Sequence, residues 1–140
     1  MPLTINLKTK ERLIVNGVVV ENSGPPAKLL IHNTAALLRE KDILTEEEAQ
    51  TPARRIYFAV QCQYLFPGKE ELFLPIIYAF LREFAEAAPS AVTLVRDIHD
   101  HVEAREWYRA LKSARQLIAR EQEILNDREA EPVPEGAGAG

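Results

Sequence analysis

The dipeptide Asn16-Gly17 is the feature that most constrains how this chain can fold. It separates two runs rich in β-branched residues, Leu13-Ile14-Val15 and Val18-Val19-Val20. β-Branched side chains favour strands, and Asn and Gly tolerate the positive φ angles of a two-residue type I′ turn. The sequence therefore predicts an antiparallel β-hairpin centred on this dipeptide.

The rest of the first third of the chain also favours strands. Apolar and polar residues alternate from Leu3 to Lys8, as a half-buried strand requires. Asn22 to Pro26 has the composition of a turn, and Ala27 to His32 is a further strand candidate. Ala35 to Leu38 fits either a last strand or the start of a helix. We therefore expect a small antiparallel sheet of hairpins over residues 1–43.

Helical periodicity replaces the strand pattern after Ile43. Thr45 to Glu48 has the form of a capping box, and Thr51-Pro52 fits a second helix start with threonine as N-cap. Apolar residues from Leu72 to Phe84 recur at three- and four-residue steps, which predicts a core-facing helix. Pro75 either kinks that helix near its start or marks its first turn.

The segment from Ala91 to Leu125 contains no glycine or proline. As a single helix it would be roughly 50 Å long at 1.5 Å per residue, which is more than the small body of this chain can cover. Either the helix bends between Asp100 and Glu106, or part of it packs against another subunit. The sequence is compatible with both alternatives.

These patterns together predict an α+β protein with three regions. Residues 1–43 form the β-rich region, and residues 44–125 form a helical region with a long last helix that packs on it or on a partner subunit. Residues 126–140 are rich in glycine, proline and acidic residues, and we expect them to be a disordered tail.

Charge and composition restrict the class of protein. The chain carries a net charge of −4, yet residues 1–42 hold six Lys/Arg and four Asp/Glu, a net of +2, which leaves −6 for the remainder. No apolar run approaches the roughly 20 residues that span a bilayer, and the N-terminus lacks the pattern of a secretory signal. The single cysteine, Cys62, excludes an internal disulfide. We therefore expect a cytoplasmic protein without a membrane partner.

The sequence carries no motif for catalysis, a metal or a cofactor. A Gly-rich phosphate loop, a serine elbow and an HExxH motif are all missing. His99 and His101 would point about 200° apart on a helix, so they cannot share an ion. Cys62 has no neighbour in sequence that would lower its pKa, which favours a buried structural thiol. We predict that the chain is not an enzyme.

Two groups of cations are candidates for binding a polyanion. The first contains Lys8, Lys10 and Arg12, which could instead be edge-strand charges that discourage aggregation. The second contains Arg54 and Arg55, which precede Ile56-Tyr57-Phe58 and could stack on bases and neutralise phosphates. The alternative for the second group is that the aromatic residues lie in the core and the arginines form surface ion pairs.

Several segments, in the same order along the chain, resemble the FlbT family of flagellin-transcript regulators. The resemblance covers residues 3 to about 125 and is carried by four runs: Glu11 to Gly17, Leu38 to Ile43, Thr51 to Phe58 and Tyr108 to Ile118. None of these runs is a catalytic motif. The chain departs from the family at Lys10, where the first turn usually carries a glycine.

The resemblance implies post-transcriptional control of flagellin synthesis. FlbT-like proteins are associated with the 5′ untranslated leader of flagellin mRNA, where they reduce translation and promote decay. Some relatives act in the positive direction, so repression is the expectation and activation the alternative. The resemblance also implies functional links to a small flagellar protein of the FlaF type and to flagellin.

The first 43 or so residues are also similar to the carbon storage regulator family, small β-rich dimers that bind mRNA leaders. The similarity is carried by Leu7 to Gly17 and by Leu38-Arg39-Glu40. It implies that Lys8, Arg12 and Arg39 lie on one RNA-facing edge. It also implies a homodimer or higher oligomer, because five short strands leave exposed sheet edges.

The resulting hypothesis is a regulator that binds a flagellin mRNA leader without covalent chemistry. Phosphate contacts would come from Lys8, Lys10, Arg12 and Lys28, and Arg39 would read unpaired bases. Arg39→Ala is then expected to weaken leader binding and leave the fold intact. The rival hypothesis is an adaptor whose amphipathic helices bind flagellin, a FlaF-type protein or a second copy, with indirect effects on RNA.

Overall fold

Three layers are stacked in the computed structural model, which describes residues 2–130. The strands are β1 (Leu3–Leu7), β2 (Arg12–Val15), β3 (Val18–Glu21), β4 (Ala27–Ile31) and β5 (Leu37–Arg39). The helices are α1 (Pro52–Leu65), α2 (Glu70–Ala87), α3 (Val92–Glu103) and α4 (Trp107–Ala130). The predicted α+β class, with strands first and a long last helix, is confirmed.

The Asn16-Gly17 turn has the predicted geometry. Asn16 and Gly17 adopt φ angles of 50° and 83°, and Val15 lies directly opposite Val18 in the β2–β3 ladder. The Asn16 side-chain oxygen also accepts a hydrogen bond from the Ala36 N–H at 2.9 Å. The turn therefore closes one hairpin and positions the chain that enters β5.

The strands form two sheets rather than one. β1 pairs with β4, and a second sheet has the order β3-β2-β5, with every pairing antiparallel. The segment from Ala35 to Leu38, which fitted either a strand or a helix, contributes to strand β5. β5 lies against β2 rather than against its sequence neighbour β4, so the chain crosses from one sheet to the other.

Strand β2 lies between the other two layers and is buried on both faces. Leu13 packs with Ile5 and Leu7 of the β1–β4 sheet. The next residue, Ile14, packs with Leu38 and the helices. Since successive side chains of a strand point to opposite faces, this one strand joins both hydrophobic clusters.

The helices form the third layer around the larger cluster. α4 packs against α1 and α3, and α1 also packs against α2. Small buried residues at these contacts allow the helices to approach closely: Ala53, Ala59, Ala110 and Ala114. No helix among residues 2–130 combines the length and the apolar character needed to cross a bilayer.

The bend predicted between Asp100 and Glu106 is present. α3 ends at Glu103 and α4 begins at Trp107, and between them Arg105 adopts a φ of 61°. The bend folds α4 back onto α3, so the long apolar stripe is covered within one chain. α4 continues to Ala130, past the boundary at residue 125; the rest of the expected tail, 131–140, lies outside the described residues.

The helix starts differ in part from the sequence expectations. Thr45 and Glu48 form the reciprocal hydrogen bonds of a capping box. However, the chain makes only one turn there and no helix follows directly. Thr51 is the N-cap of α1, as expected, and accepts a hydrogen bond from the Arg54 N–H. Pro75 lies inside α2, which begins at Glu70, so it does not mark the first turn.

Replacing Gly17 with alanine should destabilise the fold. A Cβ at this position would lie 3.0 Å from the Phe66 ring, on a backbone with a φ of +83°. We expect Gly17→Ala to lower the free energy of unfolding by about 1–3 kcal/mol, measured by urea denaturation. Gly68→Ala is the matched control, because its added Cβ meets nothing within 4 Å. Equal stability of the two variants would contradict the assigned turn strain.

Candidate nucleic-acid interface

A basic cleft opens where the two sheets meet. Its volume is about 640 Å³, and four cationic side chains line it together with a single carboxylate, that of Glu11. The cations are Lys8, Lys28, Arg39 and Lys41. Among the side chains of residues 2–127, none of these four forms an ion pair with a carboxylate. The basic cleft therefore has a local excess of positive charge on a chain that is acidic as a whole.

Sheet topology brings these cations together from distant parts of the chain. Lys8 directly follows β1, and Lys28 lies opposite Asn6 in the β1–β4 ladder. Arg39 is the last residue of β5, and Lys41 lies in the short 3₁₀ turn Glu40–Asp42 that follows. The ends of three strands thus meet at the mouth of the basic cleft.

Arg39 connects the two sheets. Its Nη2 donates a hydrogen bond to the Asn6 carbonyl oxygen at 3.1 Å. Its Nε is buried and has no hydrogen-bond partner among the described residues. This hydrogen bond holds the planar guanidinium at the wall of the basic cleft, where its Nη groups retain N–H donors for a ligand and the buried Nε does not face one.

The single carboxylate of the basic cleft is engaged by the loop that carries it. Glu11 accepts a hydrogen bond from the Lys8 backbone N–H at 2.8 Å, and the Glu11 N–H donates to the Lys8 carbonyl at 3.0 Å. Lys10, in the same loop, has a φ of 67°, in the region that favours glycine. Lys10 is exposed but does not line the basic cleft.

Arg12 is separated from the basic cleft. It lies opposite Glu21 in the β2–β3 ladder, and its Nε is 3.0 Å from the Glu21 carboxylate. Both side chains are exposed, so the pair adds little to stability, but the carboxylate offsets the charge of Arg12. The resemblance implied one RNA-facing edge that contains Lys8, Arg12 and Arg39. The structure places Arg12 apart from the other two.

Arg54 and Arg55 belong to a different surface. They lie in the first turn of α1, and the exposed Arg55 lines a groove between α1 and α2. Tyr57 is 3% exposed and is part of the helical core, so it is not available for stacking on a base. Phe58 is half-buried and lines the same groove as Arg55.

Long-range contacts hold the 3₁₀ turn that carries Lys41. Arg115 of α4 lies 2.9 Å from the Asp42 carboxylate and donates to the Tyr57 hydroxyl at 3.1 Å. That hydroxyl donates to the Asp42 carbonyl oxygen. Burial is the main cause that raises the pKa of Tyr57, which keeps the hydroxyl protonated and able to donate.

Sequence reasoning missed Lys41 and the contacts that place it. Lys41 was visible as the second cation of Arg39-Glu40-Lys41, within a run that carries the family resemblance. Arg115 also lies in such a run, Tyr108 to Ile118, but nothing in the sequence pairs it with Asp42, which is 73 residues away in the chain. Only the packing of α4 on α1 brings the two together.

The remaining polar candidates do not form a reactive centre in the described part of the chain. The described side chains, those of residues 2–127, contain no group of three His, Cys, Asp or Glu that could hold a metal ion. His99 lies 3.6 Å from Glu103 on the same exposed helix face. Cys62 is half-buried, and burial raises the pKa of its thiol, which disfavours the nucleophilic thiolate.

Comparison with known proteins settles the family. The family model described as "Flagellar protein FlbT" matches residues 3–125. The chain belongs to the FlbT family. The match extends from β1 into α4, so it covers both the basic cleft and the helical layer. No solved structure matches the chain.

Curated relatives share this length and carry regulatory names. A Caulobacter vibrioides protein (strain ATCC 19089 / CIP 103742 / CB 15) named "Flagellum biosynthesis repressor protein FlbT" is 40% identical over 143 residues, covering 100% of this chain and 97% of that protein. Relatives from Rhodopseudomonas palustris (strain TIE-1) and Caulobacter sp. (strain K31) are 40% and 42% identical, covering 90% and 89% of this chain and 99% and 97% of their own length. Both are named "Probable flagellum biosynthesis repressor protein FlbT". The chain is thus a member of a flagellar family whose named role is regulation rather than catalysis.

Removing the Arg39 guanidinium should loosen the junction of the sheets. Arg39→Ala deletes the hydrogen bond to the Asn6 carbonyl and the half-buried stem, so we expect a loss of about 1–2 kcal/mol in the free energy of unfolding. Urea denaturation measures it. Lys41→Ala removes a neighbouring exposed charge and should change stability by less than about 0.5 kcal/mol. An unchanged Arg39→Ala variant would show that this contact does not connect the sheets.

Proposed function

We propose that this chain represses flagellum biosynthesis by binding the 5′ untranslated leader of flagellin mRNA in the basic cleft. The observation that carries the proposal is the convergence of Lys8, Lys28, Arg39 and Lys41 on one cleft with a single engaged carboxylate. The family membership and the repressor names of the relatives support the regulatory direction.

The basic cleft offers two kinds of contact to RNA. Three flexible lysine side chains can follow phosphates, which supplies affinity without sequence preference. The fixed guanidinium of Arg39 can make paired hydrogen bonds to a base edge or a phosphate. Single-stranded leaders suit such a site, because their unpaired bases and phosphates are both accessible.

Repression by this route needs only occupancy. A protein bound to the leader blocks access of the ribosome, and an untranslated message is exposed to nucleases and decays. Binding at the basic cleft would therefore reduce translation and increase decay without a reactive group on the protein.

The direct test removes the lysines and keeps Arg39, since Arg39 also supports the fold. We expect the triple variant Lys8→Ala, Lys28→Ala, Lys41→Ala to bind a flagellin leader RNA at least tenfold more weakly in a gel-shift titration. All three side chains are exposed, so the thermal stability should stay close to that of the wild type. The control is Lys69→Ala, Arg109→Ala, Lys112→Ala, which removes the same charge from exposed sites outside the basic cleft.

Salt dependence identifies the kind of contact that is lost. For single-stranded RNA the logarithm of the binding constant falls with the logarithm of salt concentration by about 0.7 per phosphate contact. The wild type should show a slope near −2, from about three such contacts, and the triple cleft variant a much shallower one. Equal weakening by the control variant would assign the effect to net charge and would refute binding in the basic cleft.

A second candidate function, docking of a protein partner, is favoured by an apolar groove between α1 and α2. Its volume is about 240 Å³, and Phe58, Phe73, Ile76 and Phe80 line it, with Arg55 and Glu46 among the polar lining residues. Ile76 is 38% exposed. An amphipathic helix of a FlaF-type protein or of flagellin fits such a groove, with apolar anchors in it and charges at its edges.

A charge in this groove should separate the two functions. We expect Ile76→Glu to abolish calorimetric binding of purified flagellin or FlaF-type protein while leader RNA still binds. Val92→Glu, at a similarly exposed site on α3, should change neither. If wild-type protein binds neither partner, or Ile76→Glu binds as well as wild type, the groove is not the docking site.

A further inference from the structure

Strand β3 presents an unusual free edge. It is an outer strand of the β3-β2-β5 sheet, and three consecutive valines on it are exposed: Val18 at 62%, Val19 at 61% and Val20 at 40%. Exposed edge strands of folded proteins are ordinarily guarded by charges, proline or a bulge. The one charged residue of β3, Glu21, is paired with Arg12 of the same sheet.

The exposed valines belong to both faces of the sheet. Val20 lies opposite Leu13, which faces the β1–β4 sheet, and Val19 lies opposite Ile14, which faces the helices. Directly opposed residues share a face, so the two apolar faces of β2 continue onto β3 and lose their cover there. A docked helix would contact the valines of one face only, whereas a strand added at the edge places its side chains beside the valines of both faces.

The backbone of β3 offers hydrogen bonds to such a strand. The Asn22 N–H donates to the Glu11 carbonyl at 3.0 Å, which identifies that opposed pair as hydrogen-bonded. Hydrogen-bonded and non-hydrogen-bonded pairs alternate along an antiparallel ladder, so the pairs that contain Val20 and Val18 are also hydrogen-bonded. These two valines therefore direct their backbone N–H and C=O groups toward β2. Val19 and Glu21 therefore direct their N–H and C=O groups outward, where no described strand receives them.

We propose that β3 pairs antiparallel with β3 of a second copy of this chain, with Val19 opposite Val19 at the two-fold axis. A symmetric antiparallel pair must place one residue opposite itself. Centring on Val19 uses its outward backbone groups and sets Val18 opposite Val20 of the other copy. Centring on Glu21 would instead place two like charges together.

The pairing is self-complementary in both hydrogen bonds and apolar contacts. Every exposed valine of one copy meets a valine of the other, and Glu21 lies opposite Gly17 rather than opposite another charge. The result is a continuous six-stranded sheet in which neither β3 strand is an edge. None of these residues lines the basic cleft, so the inference is independent of RNA binding.

Cysteine cross-linking tests the register directly. In a Cys62→Ser background, we expect Val19→Cys to oxidise readily to a covalent dimer, because a hydrogen-bonded antiparallel pair has a Cα–Cα distance of about 5.5 Å, within disulfide range. Val18→Cys is the control: its two copies would be about 8 Å apart, too far for a disulfide without backbone movement. Equal cross-linking of the two variants, or cross-linking of Val18→Cys alone, would overturn the register.

A charge at the two-fold axis tests the association itself. In analytical ultracentrifugation, we expect the full-length wild type to have twice the 15.8 kDa mass of one chain and Val19→Lys to have the single mass. Leu30→Lys, at a 53% exposed site on β4, should remain dimeric. Circular dichroism confirms that each variant is folded. A wild-type chain that is monomeric at every concentration, or a Val19→Lys variant that stays dimeric, would refute the proposal.

Discussion

The burial of β2 on both faces is the constraint on which the rest of the structure depends. Leu13 and Ile14 are adjacent in sequence, yet one belongs to the core between the sheets and the other to the core beneath the helices. Apolar burial is the dominant favourable contribution to folding. Strand β2, together with the adjacent Leu37 and Leu38 of β5, therefore holds three layers together and fixes where their edges meet.

That layering explains how an acidic chain has a basic cleft. The cleft lies between the sheets, where the end of β1, the start of β4 and the end of β5 come together. Net charge describes the field far from the protein, whereas a phosphate in the cleft experiences the nearest groups most strongly. Lys8, Lys28, Arg39 and Lys41 outweigh Glu11 locally, although the chain as a whole carries −4.

The candidate site was visible in the sequence only in part. Lys8, Lys28 and Arg39 were identified from the residues and from the family resemblance, and the structure places them in the basic cleft. Arg12 was expected with them, but a strand register sets it opposite Glu21. Tyr57, read as a stacking candidate, is in the core because the helical period turns it toward Arg115 and Asp42. The position of Tyr57 comes from contacts between segments that are distant in the chain, whereas Arg12 and Glu21 pair within a single hairpin.

The sequence alone determined the features that depend on local geometry. The Asn16-Gly17 turn and the N-cap at Thr51 follow from backbone preferences over a few residues. The bend before Trp107 was one of two alternatives that the sequence left open, and the structure selects it. Tertiary structure decided that there are two sheets, that β5 pairs with β2, and that Lys41 joins the cleft through a turn held by Arg115. Hydrophobic periodicity and the secondary-structure propensity of the residues determine which face of a helix or strand is apolar. They do not determine which other element covers that face. The partner is selected by the packing of the whole chain.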